Sequence, residues 1–483
     1  MKSGEKTGME NNNENAKLTR GMGLFDLVLF NVVAIVGLRW ASVAAGIGPS
    51  SLVLWLGAML LFFIPSALTV TELSARCPRE GGIYVWTREA FGEYHGFICG
   101  FFYWVNNLVY YPNLLIYLGS TFLFTFGVRF LHLEENTTYT AIFSLTVLWF
   151  AIIINTIGVK RGKWLQNLGA FGTWIPALAL LVAGIISWIR FGPANVFQGN
   201  LMPEFSNIHT LSIFASLCFG FAGMELQSCM GEEIRDPVRN IPRAVLISGV
   251  MIAGVYVIST GALLVTLPSD RINIVSGVVQ VIYEVSHRIN APWLGMALAL
   301  LITLGGLGGI GAWMSGTARI PFVVGIDKYL PPWLARIHPR WGTPANAIIT
   351  MGIISTLFVL MGTAGATVKE AYQLLVVGTL ILYFIPYVYL FAAFIRWKKL
   401  NMGERTAMNY PWWLGIVGII TTIMAMGLSI IPPQDVKSPA VYLYKVIGGV
   451  VFFWIIGWVM FRQASIKKES EGEDSPGNSP EDS

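Results

Sequence analysis

The sequence predicts an all-α, polytopic membrane protein with twelve transmembrane helices, and three observations predict it. Apolar runs of about 20 residues follow one another from Leu24 to Phe461 with short polar connections. At 1.5 Å per residue, each run crosses the roughly 30 Å of hydrocarbon in a bilayer. Only 12% of the 483 residues are charged and 54% are hydrophobic, at a mean hydropathy of +0.62; an ordinary soluble domain carries about 25% charged residues. Finally, with the N-terminus inside, 24 of the 32 Lys and Arg residues fall on inner segments and seven on outer ones, the bias that orients membrane proteins.

The predicted spans are 24–46, 51–75, 95–124, 138–158, 164–189, 209–231, 243–267, 291–318, 344–362, 370–395, 411–431 and 442–462. The first is retained, because no small-residue cleavage site follows a short apolar core. The third is ambiguous by length, since uncharged sequence runs from Gly96 to Val128. Splitting it would put every later basic loop outside, so parity makes it one helix and the total twelve, with both termini cytoplasmic at a cell membrane. Two apolar segments are not spans. Val275 to His287 is amphipathic and too short, and is expected to lie over the outer face. Pro321 to Pro339, rich in Pro and basic residues, is expected to cap the inner face. The chain divides into a polar tail (1–20), a ten-helix core (21–400), two peripheral helices (401–463) and a second polar tail (464–483), both tails being expected to be disordered.

Composition narrows the chemistry. Cys77, Cys99, Cys218 and Cys229 show no CxxC spacing and lie in or beside apolar runs, where small packing residues are the expectation. The five histidines (His95, His132, His209, His287, His338) are scattered near span ends, which counts against a metal or nucleophile constellation in the bilayer. No cofactor, metal or nucleic acid is expected, and there is no Walker A sequence for an ATP-driven mechanism. Gly306-Leu307-Gly308-Gly309-Ile310-Gly311 fits GxGxxG, but no strand precedes it. Close helix packing is the better reading. Asn136-Thr137-Thr138 matches a glycosylation acceptor, a pattern common by chance.

Polar residues inside a membrane are costly and therefore informative. The first span reads Val36-Gly37-Leu38-Arg39-Trp40 near its middle, where an arginine costs about 2.5–3.5 kcal/mol on insertion scales. Two readings are open: Arg39 snorkels to the outer surface, or the helix breaks at Gly37 and Arg39 faces a polar cavity. The sixth span offers a counterpart in Phe219-Gly220-Phe221-Ala222-Gly223-Met224-Glu225, two glycines followed by a carboxylate. Broken helices leave unpaired backbone groups that survive in a membrane only where they line a cavity or meet a partner. Interruptions at matching places in two halves point to a transporter's binding site. Spans one and six match if the repeat is five plus five.

Four stretches then carry a resemblance. Thr71-Glu72-Leu73 with Pro78-Arg79-Glu80-Gly81-Gly82-Ile83-Tyr84, Gly220 to Glu225, Glu232-Glu233-Ile234-Arg235-Asp236-Pro237 with Asn240-Ile241-Pro242-Arg243-Ala244, and Tyr103-Trp104 are similar to segments of the amino acid–polyamine–organocation (APC) superfamily of permeases. Within it the glutamate–GABA antiporter branch looks closest, through Val275-Ser276-Gly277-Val278-Val279-Gln280, Ala312-Trp313-Met314-Ser315-Gly316-Thr317-Ala318-Arg319 and Lys328-Tyr329-Leu330-Pro331. The resemblance implies an inverted five-plus-five repeat (24–189 and 209–395), with broken helices 1 and 6 around a midplane site. One departure matters. Many relatives carry a small Gly-Ser-Gly-type run where this chain has Gly37-Leu38-Arg39-Trp40, and span five offers Gly172, Thr173 and Trp174 without a lysine. The resemblance therefore leaves Arg39 either to bind a substrate carboxylate or to act as a fixed cation where other branches use sodium or that lysine.

The expected function is secondary active transport of an amino acid or related amine, as an exchanger or a proton-coupled symporter. The alternatives are a transporter-like nutrient sensor and a polyamine permease; a membrane-embedded enzyme is disfavoured. The substrate-binding candidates are Val36, Gly37, Arg39, Trp40, Tyr103, Asn107, Phe219, Ala222, Gly223, Glu225 and Trp313. Coupling or gating candidates are Arg39, Glu72, Glu225 and Ser315. A structural reading stands beside each. Arg39 and Glu225 could pair across the site, Glu225 could bond the amides of its own broken helix, Glu72 could anchor helices, Asn106 and Asn107 could bond between helices, and Trp313 could simply pack. Arg20 and Asp26 are placed at the inner end of span one.

Overall fold

The computed structural model describes residues 21–204, 207–363, 368–403, 408–432 and 438–473. The first half comprises α1 (Leu24–Ile35), α2 (Arg39–Ala45), α3 (Ser51–Ala58), α4 (Ile64–Arg76), α5 (Ile83–Phe91), α6 (Glu93–Leu123), α7 (Thr137–Thr156) and α8 (Val159–Phe191). The second comprises α9 (Ile208–Phe221), α10 (Pro237–Thr266), α11 (Gly277–Arg288), α12 (Pro292–Thr317), α13 (Arg319–Ile326), α14 (Ala345–Thr363) and α15 (Val368–Lys399). Two further helices, α16 (Trp413–Ser429) and α17 (Pro439–Glu473), complete the described chain.

Among the described residues ten helical stretches are long and apolar enough to cross a membrane, and α1 with α2, bent by 45° across a short break, makes an eleventh. The predicted eleventh span, 411–431, corresponds to α16, which is apolar but only 17 residues long. Residues 93–123 form one continuous helix that carries Pro112, as loop charge required. The polar tail expected over 464–483 is corrected in part. Helix α17 runs on to Glu473, because Lys, Glu, Gln and Ala after Phe461 are good helix formers on an existing helix. Residues 1–20, with Arg20, and 474–483 lie outside the described residues.

Close approach of α8 and α12 sets the middle of the bundle. A Cβ on Gly308 would stand 2.5 Å from Gly169 Cα, and one on Gly172 would stand 2.4 Å from the Leu301 carbonyl oxygen. The glycine-rich run of α12 is thus a packing surface, where backbones meet as small residues allow. Large apolar side chains such as Phe150, Leu178, Val250, Ile353 and Ile455 are exposed around the outside, as lipid-facing residues would be. The most apolar stretch of α17 is only 11% buried, which makes it peripheral. Helix α16 is seated on α15, α9 and α4.

The amphipathic α11 buries Val278, Val279, Val281, Ile282 and Val285 and packs on α12, α8 and α2. At the predicted inner face, α13 follows α12 directly, and Asp327 at its end accepts from Tyr84 and Arg88 of α5. Met22 pairs with Ile234 in an isolated bridge, through Met22 N–H to the Glu233 carbonyl (3.3 Å) and Arg235 N–H to the Met22 carbonyl (3.0 Å). This bridge ties the start of α1 to the segment after the second helix break.

Candidate functional site

The chain leaves helical geometry twice at mid-bundle. Between α1 and α2, Val36, Gly37 and Leu38 interrupt the ladder. After α9, Ala222 to Glu225 do the same before a short 3-10 helix, with Gly223 at φ +125°. Only glycine adopts that backbone readily. The freed backbone groups find aromatic partners. Trp313 Nε1 donates to the Ala34 carbonyl at 2.7 Å. The Tyr256 hydroxyl accepts from Gly37 N–H at 3.0 Å and lies 2.7 Å from the Ile35 carbonyl oxygen and 2.8 Å from that of Gly220. The Tyr387 hydroxyl accepts from Gly223 N–H at 2.8 Å. Side-chain donors and acceptors thus supply what water cannot at that depth.

Glu225 is wholly buried. One carboxylate oxygen accepts from Tyr103 at 2.9 Å and from Tyr383, and the other accepts from Tyr387. These hydroxyls come from α6 and α15, and the backbone N–H of Glu225 itself also bonds the carboxylate. Neutral donors fix the carboxyl without cancelling its charge, so it can hold a proton or meet a cationic group.

Arg39 is also wholly buried, which corrects the snorkelling reading: the helix break turns the side chain into the protein. Nη1 donates to Asn113 Oδ1 at 2.9 Å, while Nε and Nη2 have no hydrogen-bond partner. The guanidinium carbon stands 4.7 Å from the Trp40 ring centre and 5.3 Å from that of Tyr110. Among the described residues Arg39 makes no ion pair, so it is not paired with Glu225. Aromatic rings stand between the two charges. Phe219 packs on Trp40 (5.4 Å) and Tyr383 (5.3 Å), and Trp313 packs on Tyr110 (5.6 Å) and Tyr383 (5.7 Å).

The other candidates divide. Val36, Ala222 and Gly223 are buried at the breaks beside Gly37. Asn107 donates to the Tyr103 carbonyl of its own helix at 2.8 Å. Ser315 donates to Asn155 at 2.7 Å and accepts from Gln166 at 3.1 Å, which joins α12 to α7 and α8. Glu72 accepts from Arg76 (2.9 Å), from Lys398 (3.0 Å) and from Tyr410 N–H (2.8 Å), tying α4 to the end of α15 and the approach to α16.

A separate buried cluster lies at the predicted inner face. Arg319 donates to Glu233 at 2.8 and 2.6 Å and stands 3.7 Å from Glu80, whose other oxygen accepts from Glu232 N–H at 3.0 Å. Burial and the Glu233 carboxylate hold the Glu80 carboxyl well above the ordinary carboxylate range, against the pull of Arg319.

Sequence reasoning passed over Tyr110, Asn113, Tyr256, Tyr383 and Tyr387. Two signals were present. Tyr103, Tyr110, Asn113 and Tyr117 fall on one helical face, and Tyr383 and Tyr387 are four residues apart. Nothing in the sequence singles out Tyr256.

On the described side chains, no group of three His, Cys, Asp or Glu residues could hold a metal ion. The predicted outer side has a cavity of ≈ 400 Å³ whose lining includes Trp40, Ile213, Tyr372, Val376 and Tyr442.

Comparison with known proteins gives a consistent result. A family model described as amino acid permease matches residues 22–460. An uncharacterized transporter of Legionella pneumophila is 31% identical over 92% of this chain and 97% of its own length. Two Lactococcus lactis proteins follow. One is a probable agmatine/putrescine antiporter, 24% identical over 94% of this chain and 98% of its own length. The other is a glutamate/gamma-aminobutyrate antiporter, 23% identical over 80% and 79%. The crystal structure of MhsT in complex with L-phenylalanine shares the fold, with a TM-score of 0.63 at 15% identity, covering 85% of this chain and 98% of that one.

Proposed function

The chain belongs to the amino acid permease family, a multi-pass membrane transporter rather than an enzyme, and on that premise we propose that it exchanges amino acids or related amines by alternating access. The substrate site is placed between the two broken helices, bounded by Gly37, Phe219, Gly223 and Trp313, with Glu225 as the group that holds a proton or meets the substrate ammonium. The observation that carries this reading is Glu225 itself: a wholly buried carboxylate, bonded by Tyr103, Tyr383 and Tyr387 and, among the described residues, by no cation, beside freed backbone groups. Support for alternating access comes from asymmetry. The predicted inner side is latched by Arg319–Glu233 and the Met22–Ile234 bridge, and its ≈ 580 Å³ cavity is lined by residues such as Lys328, Pro331 and Met460 that belong to neither break. The ≈ 400 Å³ cavity of the predicted outer side, by contrast, is lined by Trp40 beside the first break.

The finer reading has twelve spans, with α16 crossing as a short eleventh span. It has two inverted five-helix repeats over 24–189 and 209–395, and both termini in the cytoplasm. The glutamate–GABA branch is proposed on the α11 and α12 motifs, and exchange on the antiporters among the relatives. Counterflow in proteoliposomes tests the function. Vesicles loaded with each standard amino acid, and with the amines left by removing its carboxylate, are expected to take up labelled substrate only when a partner substrate is inside. Uptake of none of them would refute the proposal.

A further inference from the structure

The relatives include antiporters of amines and of amino acids and so leave the substrate class open. We propose that Arg39 is the receptor for a substrate carboxylate, so that this chain selects amines that also bear a carboxylate over amines that lack one. The inference rests on the transporter reading above.

Three observations carry it. First, the guanidinium is unsatisfied in a specific way. Nη1 is held by Asn113 at 2.9 Å, and the unpartnered nitrogens are Nε and Nη2. Those two N–H groups point from one edge of the guanidinium plane, and two parallel donors are what a carboxylate accepts in a bidentate pair. Second, the plane is held in place. The Trp40 and Tyr110 rings flank the charge at 4.7 and 5.3 Å, so little side-chain freedom remains to be lost on binding. Third, the position is reachable. Trp40, next in sequence, and Tyr372, whose hydroxyl lies close to the guanidinium, both line the ≈ 400 Å³ cavity.

No internal acid takes the place of a ligand. Glu225 is engaged by three tyrosines beyond the aromatic layer, and among the described residues no carboxylate forms an ion pair with Arg39. A buried charge without a partner is costly, and an arriving carboxylate removes that cost, which favours the anionic ligand over its neutral or cationic analogue. The site also explains the bulk of Gly37-Leu38-Arg39-Trp40 within the first break. There a side chain presents donors at a helix interruption whose own Gly37 N–H is already occupied by Tyr256.

The test uses the full chain in proteoliposomes, with each transported amino acid that has a single carboxylate compared against the amine left by removing it. The wild type is expected to favour the amino acid at least about 10-fold, the scale of one good charge-assisted contact. Arg39→Gln should bring that ratio close to one, and Arg39→Lys should keep part of it. Asn113→Asp, which supplies an internal carboxylate beside Arg39 while retaining the guanidinium, should lower the ratio as well. It keeps the test valid if Arg39→Gln does not fold. A wild type that prefers the amine, or an unchanged ratio in both Arg39→Gln and Asn113→Asp with uptake intact, overturns the carboxylate receptor and leaves the transporter reading standing. Absence of any uptake by the wild type removes the transporter reading instead. A chloride titration against methanesulfonate at constant ionic strength separates a second source of negative charge. Arg39-dependent binding of chloride that amino acids do not displace overturns the proposal, and displacement supports it.

Discussion

The hydroxyl of Tyr256 stands 2.7 Å from the carbonyl oxygen of Ile35, the residue at which the first span stops being helical. The same hydroxyl reaches the Gly220 carbonyl at 2.8 Å and accepts from Gly37 N–H at 3.0 Å. One side chain on α10 therefore holds both interrupted helices, and its single proton is shared between two carbonyls.

Tyr256→Phe removes these bonds and changes little else, since the ring remains to stack on Trp55 at 4.5 Å. Buried groups left without partners cost about 1–3 kcal/mol each. The variant is expected to melt at a lower temperature in detergent and to exchange more slowly. An unchanged melting temperature would show that water or another side chain replaces the hydroxyl.

Glu225→Gln keeps the shape of the carboxyl but removes its charge and its proton, and replaces one of the two oxygens that accept from tyrosine hydroxyls by a donor. The protein should insert and elute as a single species, with uptake reduced at least about 10-fold, the loss of one charge-assisted interaction. Normal uptake by this variant would remove Glu225 from the transport site.

Glu80 gives a pH dependence with a definite sign. Its carboxyl is raised in the folded chain, so the folded state binds the proton more tightly than the unfolded one. This contribution is fullest below the unfolded value of about 4.3 and declines as pH rises toward the raised folded value. Relative to Glu80→Gln, the wild-type melting temperature should therefore climb as pH falls from about 8 to about 5. A difference that stays flat across that range would refute the assignment.

Gly308→Ala tests the seam between α8 and α12. Its Cβ would meet Gly169 Cα at 2.5 Å and the Leu165 carbonyl oxygen at 3.1 Å. Backbone cannot step aside as a flexible side chain can, and overpacking of this kind costs about 1–3 kcal/mol. Gly254→Ala, a helical position with open space around it, serves as the control in the same melting assay and should be near neutral.

Much of the fold was legible in the sequence. Hydrophobic length located the long helices, although α10 starts at Pro237 rather than 243 and the last helix extends to Glu473, and the placement of Lys and Arg kept 93–123 a single helix. Gly37 and Gly223 marked both interruptions, because a helix in a membrane breaks where its backbone groups can be met by something other than water. The family was carried by residues local in the chain, such as Pro78 to Tyr84 and Glu232 to Ala244.

The pairing of polar groups was settled only by the tertiary structure. Arg39 and Glu225 are the conspicuous charges of the two breaks, and the sequence left open that they neutralise each other. In the folded chain Phe219, Trp313, Tyr110 and Tyr383 separate them, Glu225 takes three tyrosines, and Arg39 keeps two donors without partners. The reason is physical. Insertion into a bilayer depends on local length and polarity, which a sequence displays directly. Satisfying a buried charge depends on which side chains converge from helices more than a hundred residues apart, and only the packed bundle brings Tyr103, Tyr256 and Tyr383 to the same level.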